Sequence, residues 1–246
     1  MHSIKTLLIL AGGKGTRFKE YTKDIPKPMI EACGKPLLIH IIEIYKKFNI
    51  KNVIILGGYK QNIITEYFDK NYTRINDSNI FKFNDEICVS VLDTGEESMT
   101  GWRVKKGIES SNDENFYMTY GDGLGNIDIN KLTRLHFRMN RLATLTAVRP
   151  PARFGSISVD NSRVTRFGEK DNSDEGWING GFFILNKKVA DIIENEQTVF
   201  EKFPLEYLAN SNNLSAYQHS GFWQPCDTIR ELELLEKAIL QGKLDT

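Results

Sequence analysis

Gly12, Gly13 and Gly15 follow a short apolar run, Leu7-Leu8-Ile9-Leu10, with Lys14 and Arg17 set among and just after them. An apolar run of this length ended by glycine suits a strand buried on both faces. Glycine lets the backbone take positive φ and lets a ligand approach the main chain. Successive N–H groups in such a loop form a concave anion site, and Arg17 adds a planar donor fork matched to phosphate oxygens. Lys27 lies between Pro26 and Pro28, whose fixed rings restrict the backbone and therefore the lysine's aim. The chemistry implied is a triphosphate cradle at the carboxyl end of a buried parallel strand. The plainer alternative is a glycine turn joining a strand to a helix.

Two better-known glycine loops are excluded. The string G-x-x-x-x-G-K-[ST] does not occur, and G-x-G-x-x-G is broken because Phe18 stands where the third glycine would be. A second candidate is Asp122, held between Gly121 and Gly123 after the run Phe116-Tyr117-Met118-Thr119-Tyr120. A carboxylate at the carboxyl end of a buried strand sits where open α/β sheets bind ligands. Aspartate-glycine pairs are also ordinary turn formers, so a metal ligand and a turn residue both fit.

The elements that must position these groups alternate. Pro36 to Tyr45 has helical apolar spacing with proline in its first turn. Asn52 to Leu56 reads as a buried strand, Gln61 to Phe68 as a short helix, and Ile87 to Leu92 as a third strand. Ser98-Met99-Thr100-Gly101 opens a helix containing Trp102, Arg103 and Val104, with Ser98 suited to cap it. Ile129 to Met139 is a helix, Ala143 to Val148 a strand, and Ser156 to Val159 with Val164 to Phe167 a hairpin. Phe182 to Leu185 is a further strand, Phe203 to Ala209 a short helix, and Asp227 stands before a last helix with Ile229, Leu232, Leu235 and Ile239 facing the core. Asn71 to Asp85 reads as a loop or hairpin excursion. This order predicts an α/β fold: a doubly wound, mostly parallel sheet with added β-hairpin elements, in a single domain over 1-246. His40 and His136 read as packed, structural histidines.

At 246 residues the chain is long enough for one sizeable core. Thirty-two basic and 32 acidic residues cancel, which argues against a nucleic-acid partner. No run reaches the length of a membrane span. The apolar stretch near the start is too short for a secretory signal and runs straight into the glycine loop. Cys33, Cys88 and Cys226 are far apart and form no C-x-x-C, so a disulfide framework or zinc site is not expected and a reducing cytoplasm fits.

The strings LAGGKGTR, Pro26-Lys27-Pro28, DTGEESMTGWRVKK, TYGDG, RPPARFG, INGGFFILN and GFWQPCDT occur in this order over nearly the whole chain. Together they resemble the sugar-phosphate nucleotidyltransferases, and within them the cytidylyltransferases that act on glucose 1-phosphate. The resemblance implies a Rossmann-like fold and transfer of CMP from CTP to a sugar 1-phosphate, with Mg²⁺ and in a homo-oligomer. By the same resemblance Leu10, Ala11, Gly12, Gly13, Lys14, Gly15, Thr16, Arg17, Lys27, Ser98, Arg103 and Gly121 would bind the nucleotide. Tyr120, Lys170, Asn179 and Gly180 would meet the sugar phosphate. Asp122 and Asp227 would hold the metal, with Arg17 and Lys27 catalytic. Asp227 read alone could equally be a helix cap. Another nucleotide, another phosphorylated acceptor, or a silent binding module on the same fold are the alternatives. The chain departs from the family at Trp102, where glycine is usual, at Asp171, where proline is usual, and in a shorter stretch from Tyr72 to Ile87.

Overall fold

The computed structural model describes residues 3–15, 23–150, 156–160, 162–168 and 176–244. Thr16, Arg17, Lys170 and Asp171 lie outside the described residues.

In chain order the strands are β1 (Thr6–Leu10), β2 (Glu31–Ala32), β3 (Lys35–Pro36), β4 (Asn52–Gly57), β5 (Thr73–Arg74), β6 (Ile80–Lys82), β7 (Cys88–Asp93) and β8 (Asn115–Tyr120). They continue as β9 (Gly123–Gly125), β10 (Ala143–Val148), β11 (Ser156–Asp160), β12 (Arg163–Gly168), β13 (Ile178–Asn186), β14 (Leu214–His219) and β15 (Trp223–Pro225). A nine-stranded sheet has the order β14-β10-β13-β8-β1-β4-β7-β6-β5. All its strands except β6 and β13 run in one direction. The expected doubly wound, mostly parallel sheet is therefore present. So are the added hairpins: β11 with β12, β2 with β3, and the short β5–β6 excursion.

β1 is buried along its whole length, because it pairs in parallel with β4 on one side and β8 on the other. Leu7 and Ile9 enter one apolar layer, Leu8 and Leu10 the other. That alternation across a sheet covered on both faces is why the sequence shows an unbroken apolar run. The chain passes from β1 to β4 and β7 on one side, then crosses to β8 on the other. The crevice outside the carboxyl ends of β1 and β8 is thus a topological switch point, where such sheets bind ligands.

Several boundaries differ from the sequence expectation. Pro36 is the residue before the helix Leu37–Lys46, with its ring filling the position where no helical N–H is needed. The helix Gln61–Asn71 runs three residues past Phe68. β14 and the 3₁₀ segment Lys187–Ile192 carry no clear strand or helix period. The last helix, Ile229–Leu240, buries Leu232 and Leu235, but Ile229 is 41% exposed and not a core residue.

His40 and His136 are packed, structural histidines, as expected. His40 Nε2 lies 2.9 Å from the Ala32 carbonyl oxygen. His136 Nδ1 is 2.9 Å from Thr144 Oγ1 and its Nε2 faces Asn115 Oδ1. Burial holds His136 down to about 4. The folded form is therefore neutral at pH values where the unfolded histidine, near 6.5, binds a proton. The stability this contributes is complete above about pH 6.5 and is lost as pH falls toward 4. We expect urea midpoints to fall between pH 6.5 and 4.5, with His136 contributing up to about 3 kcal/mol. In His136→Gln that part of the pH dependence should vanish; an unchanged slope would contradict the assignment.

Cys33, Cys88 and Cys226 are free thiols. Burial pushes Cys226 up to about 12, consistent with an inert apolar filler. Among the described residues no helix is long and apolar enough to cross a membrane.

Candidate active site

A cleft of about 630 Å³ opens at the carboxyl ends of β1 and β8. Its floor is the turn after β1, where Leu10 to Gly13 and Gly15 line it. The turn is pinned to the sheet: the Ala11 N–H donates to the Leu56 carbonyl, and the Gly12 carbonyl accepts from the Tyr59 N–H. Gly15 has φ of +60°, the left-handed region where glycine is favoured. Lys14 sits at the surface, its Nζ 2.6 Å from Glu97 Oε1.

Lys27 begins a one-turn 3₁₀ segment between the two prolines, and it is buried. The Met29 N–H donates to the Pro26 carbonyl and the Ile30 N–H to that of Lys27, which closes the turn. Its ammonium lies 2.7 Å from Asp122 Oδ2 and 2.6 Å from Asp227 Oδ1. One cation thus joins two carboxylates that are 95 and 200 residues away along the chain. Burial pulls the Lys27 pKa down, but the charge of Asp122 and hydrogen bonds to both aspartates outweigh it, and the net shift is upward. Lys27 is therefore a permanent cation near neutral pH.

The aspartates are brought together by a ribbon the sequence did not announce. β9 begins directly after Asp122 and pairs antiparallel with β15, which ends two residues before Asp227. The Cys226 N–H donates to the Asp122 carbonyl at 2.8 Å. Gly121 makes the approach possible: a Cβ there would meet the Pro28 ring at 2.7 Å and the Leu10 carbonyl at 2.8 Å. Asp227 is not the helix cap. Thr228 caps Ile229–Leu240 by accepting from the Glu231 N–H, and Glu231 reaches back to the Asp227 N–H at 2.9 Å. This Thr-x-x-Glu capping arrangement leaves the Asp227 carboxylate to face the cleft.

The side wall is the amino end of the helix Thr100–Glu109, with Ser98, Met99 and Thr100 in the lining. Ser98 does not cap this helix: its hydroxyl lies 2.5 Å from the Thr94 carbonyl and 2.9 Å from that of Gly95. It ties down the preceding turn instead. Arg103 is buried beneath the glycine turn, its Nη1 donating to the Gly57 carbonyl and Thr94 Oγ1 and its Nη2 to the Glu96 carbonyl. A Cβ on Gly12 or Gly58 would collide with its guanidinium, so the turn rests on Arg103. Trp102 is not in the lining; it packs on the second apolar layer with Lys106 Nζ 4.9 Å from its ring centre.

The far wall holds Tyr120 and Asn179. The Tyr120 hydroxyl donates to Glu201 Oε1 at 2.7 Å and accepts from Asn179 Nδ2 at 3.2 Å. Burial first, then the Glu201 charge, raises the Tyr120 pKa, so the phenol keeps its proton. Gly180 lies behind this wall, its carbonyl accepting from Trp223 Nε1 at 2.8 Å. Of the expected residues that are described, Leu10, Ala11, Gly12, Gly13, Gly15, Lys27, Ser98, Arg103, Tyr120, Gly121, Asp122, Asn179 and Asp227 line the one cleft. Lys14 and Gly180 adjoin it. Sequence reading missed Thr100, Glu201 and Trp223; a lone glutamate in the stretch Thr198-Val199-Phe200-Glu201-Lys202 carries no signal of its own.

A sequence model of the family described as Nucleotidyl transferase matches residues 6–241. The glucose-1-phosphate cytidylyltransferase of Salmonella typhi is 42% identical to this chain over 247 residues, covering 96% of each. The probable glucose-1-phosphate cytidylyltransferase of Bacillus subtilis (strain 168) is 38% identical over 246 residues, again 96% of each. Among solved structures, HddC from Yersinia pseudotuberculosis superposes with a TM-score of 0.73 over 96% of this chain and 100% of that one. At 23% identity that likeness is one of fold.

Proposed function

This chain belongs to the nucleotidyl transferase family, and from that premise we propose that its cleft transfers CMP from CTP to glucose 1-phosphate, releasing pyrophosphate. The observation that carries the placement is the meeting of Lys27, Asp122 and Asp227 at the mouth of the glycine turn. Both reactants are anions, so like charge must be offset before the sugar phosphate can reach the α-phosphorus of CTP. Preorganised donors and cations in a sheltered cleft do this without reorganising solvent, and holding both reactants in line removes most of the remaining entropy cost.

The glycine turn receives the triphosphate along its backbone. Lys27 moves from the carboxylates toward the α-phosphate and the incoming phosphate. Arg17 and Lys170, on segments next to the cleft in sequence, are assigned to the departing pyrophosphate and to the sugar phosphate. The acceptor oxygen is already ionised near neutral pH, because the second phosphate pKa is about 6. No side chain need remove a proton, and the cleft requires no histidine.

The donor set also suits a divalent ion. Asp122 and Asp227 are hard oxygen ligands converging on a point that already holds a positive charge, and Mg²⁺ takes one or two protein carboxylates beside phosphate oxygens. When bound, Mg²⁺ would neutralise charge on the phosphates. Soluble expression in a reducing cytoplasm fits the three free thiols.

The test is pyrophosphate release from each of CTP, UTP, GTP, ATP and dTTP against glucose 1-phosphate and other sugar 1-phosphates. CTP with glucose 1-phosphate should give the highest kcat/KM, by about tenfold or more over every other pair. Equal rates with another pair would overturn the substrate assignment.

A further inference from the structure

Glu201 stands on the wall of the cleft and has no place in the transfer chemistry above. It is held on both sides. Oε1 accepts from the Tyr120 hydroxyl at 2.7 Å and Oε2 from Thr100 Oγ1 at 2.6 Å. Its backbone is fixed as well: the adjacent Phe200 N–H donates to the same Thr100 oxygen at 2.9 Å, and the Phe200 ring is fully buried against Phe183. The carboxylate is thus a fixed charge rather than a swinging surface group. It is an exposed residue on the cleft side, and each carboxylate oxygen has a second lone pair for a further donor.

The network also has a direction. A carboxylate only accepts, so Tyr120 must donate to it and must accept from Asn179. The Asn179 Oδ1 in turn accepts from the Gly181 N–H at 2.9 Å. Tyr120 and Asn179 are the residues assigned above to the sugar. No cation partner of Glu201 lies within ion-pairing distance among the described residues, so its negative charge is felt by whatever lies beside it.

We propose that Glu201 is a specificity residue for the acceptor: its carboxylate takes hydrogen bonds from the hydroxyls of a neutral hexose 1-phosphate and rejects sugars that carry a second anion, such as uronic acid 1-phosphates. The inference rests on the sugar reading of this wall. A hydroxyl donor beside a fixed carboxylate gains a charge-assisted bond. A carboxylate in the same place meets like charge, and like-charge juxtaposition in a binding site strongly disfavours the wrong partner.

The experiment compares glucose 1-phosphate with glucuronic acid 1-phosphate, which differ only at carbon 6, in the intact protein and in Glu201→Gln and Glu201→Ala. The wild-type ratio of kcat/KM should favour glucose 1-phosphate by about a hundredfold. In both variants the ratio should fall by about tenfold or more, through a lower KM for glucuronic acid 1-phosphate. Glu201→Asp should keep the preference in direction, which a purely structural role would not require. A wild-type enzyme that uses both sugars equally, or variants with the wild-type ratio, would overturn the inference alone. Absence of any turnover of glucose 1-phosphate with CTP would overturn both it and the substrate assignment.

Discussion

Asp227→Ala and Asp122→Ala each lose at least about a thousandfold in kcat/KM for CTP and glucose 1-phosphate while the protein stays folded. The two carboxylates share the Lys27 ammonium, so deleting either removes a ligand for the cation that offsets the phosphates. Loss of one preorganised electrostatic group in such a site costs about two to three orders of magnitude, and a shared cation site loses its geometry as well as its charge. The folding cost should be smaller and unequal. The Asp227 side chain is 20% exposed and that of Asp122 is 36% exposed, so water compensates more fully at Asp122. A destabilisation of about 1–3 kcal/mol for Asp227→Ala, and less for Asp122→Ala, follows from leaving a buried donor short of one acceptor. Urea denaturation read beside steady-state kinetics checks both parts. Turnover within tenfold of wild type in either variant would remove that aspartate from the site.

Lys27→Met has an effect of similar size on chemistry and a less obvious effect on binding. It removes the cation placed for the α-phosphate and should lower kcat by about a thousandfold or more. It also leaves Asp122 and Asp227 facing each other without their shared partner. Like charges held this close repel, so the variant should be less stable at neutral pH in the absence of divalent ions. For the same reason it should bind Mn²⁺ more tightly than wild type, because no ammonium competes for the carboxylates. Lys27→Arg should not rescue: a planar five-donor fork cannot replace a compact ammonium centred between two carboxylates, in a turn set by flanking prolines. Isothermal titration with Mn²⁺ and kinetics of the two variants decide this. An arginine variant within tenfold of wild type, or weaker Mn²⁺ binding in Lys27→Met, would contradict the arrangement.

The strand β1, the glycine turn and the turn that carries Lys27 were legible because each is a local matter. Apolar residues ended by glycine define a buried strand, and two prolines define a turn. The meeting of Asp122 with Asp227 was not legible from the residues themselves. It depends on the β9–β15 ribbon, whose segments Gly123-Leu124-Gly125 and Trp223-Gln224-Pro225 hold glycine and proline, residues depleted in strands. Only the family resemblance put the two aspartates in one site. The cap assignments failed for a related reason. Ser98 and Asp227 are both good caps by type, but Ser98 is bound to carbonyls one turn earlier, and the Thr228–Glu231 pair takes the capping role. The Thr-x-x-Glu spacing was present in the sequence and outranks a lone aspartate. Arg103 was expected at the nucleotide, and the fold gives it a supporting position as well: its guanidinium fills the space that Gly12 and Gly58 leave open. Glu201 was invisible because its importance lies in two hydroxyl partners, Tyr120 and Thr100, from separate elements.

Anomalous scattering from Mn²⁺, in crystals grown with a non-hydrolysable CTP analogue, tests the central claim most directly. One peak bonded to carboxylate oxygens of both Asp122 and Asp227, with the Lys27 ammonium turned toward the α-phosphate above the glycine turn, is the result expected. A triphosphate bound elsewhere, or seated in the cleft while Lys27 still clasps both aspartates and the metal lies apart from them, would contradict it.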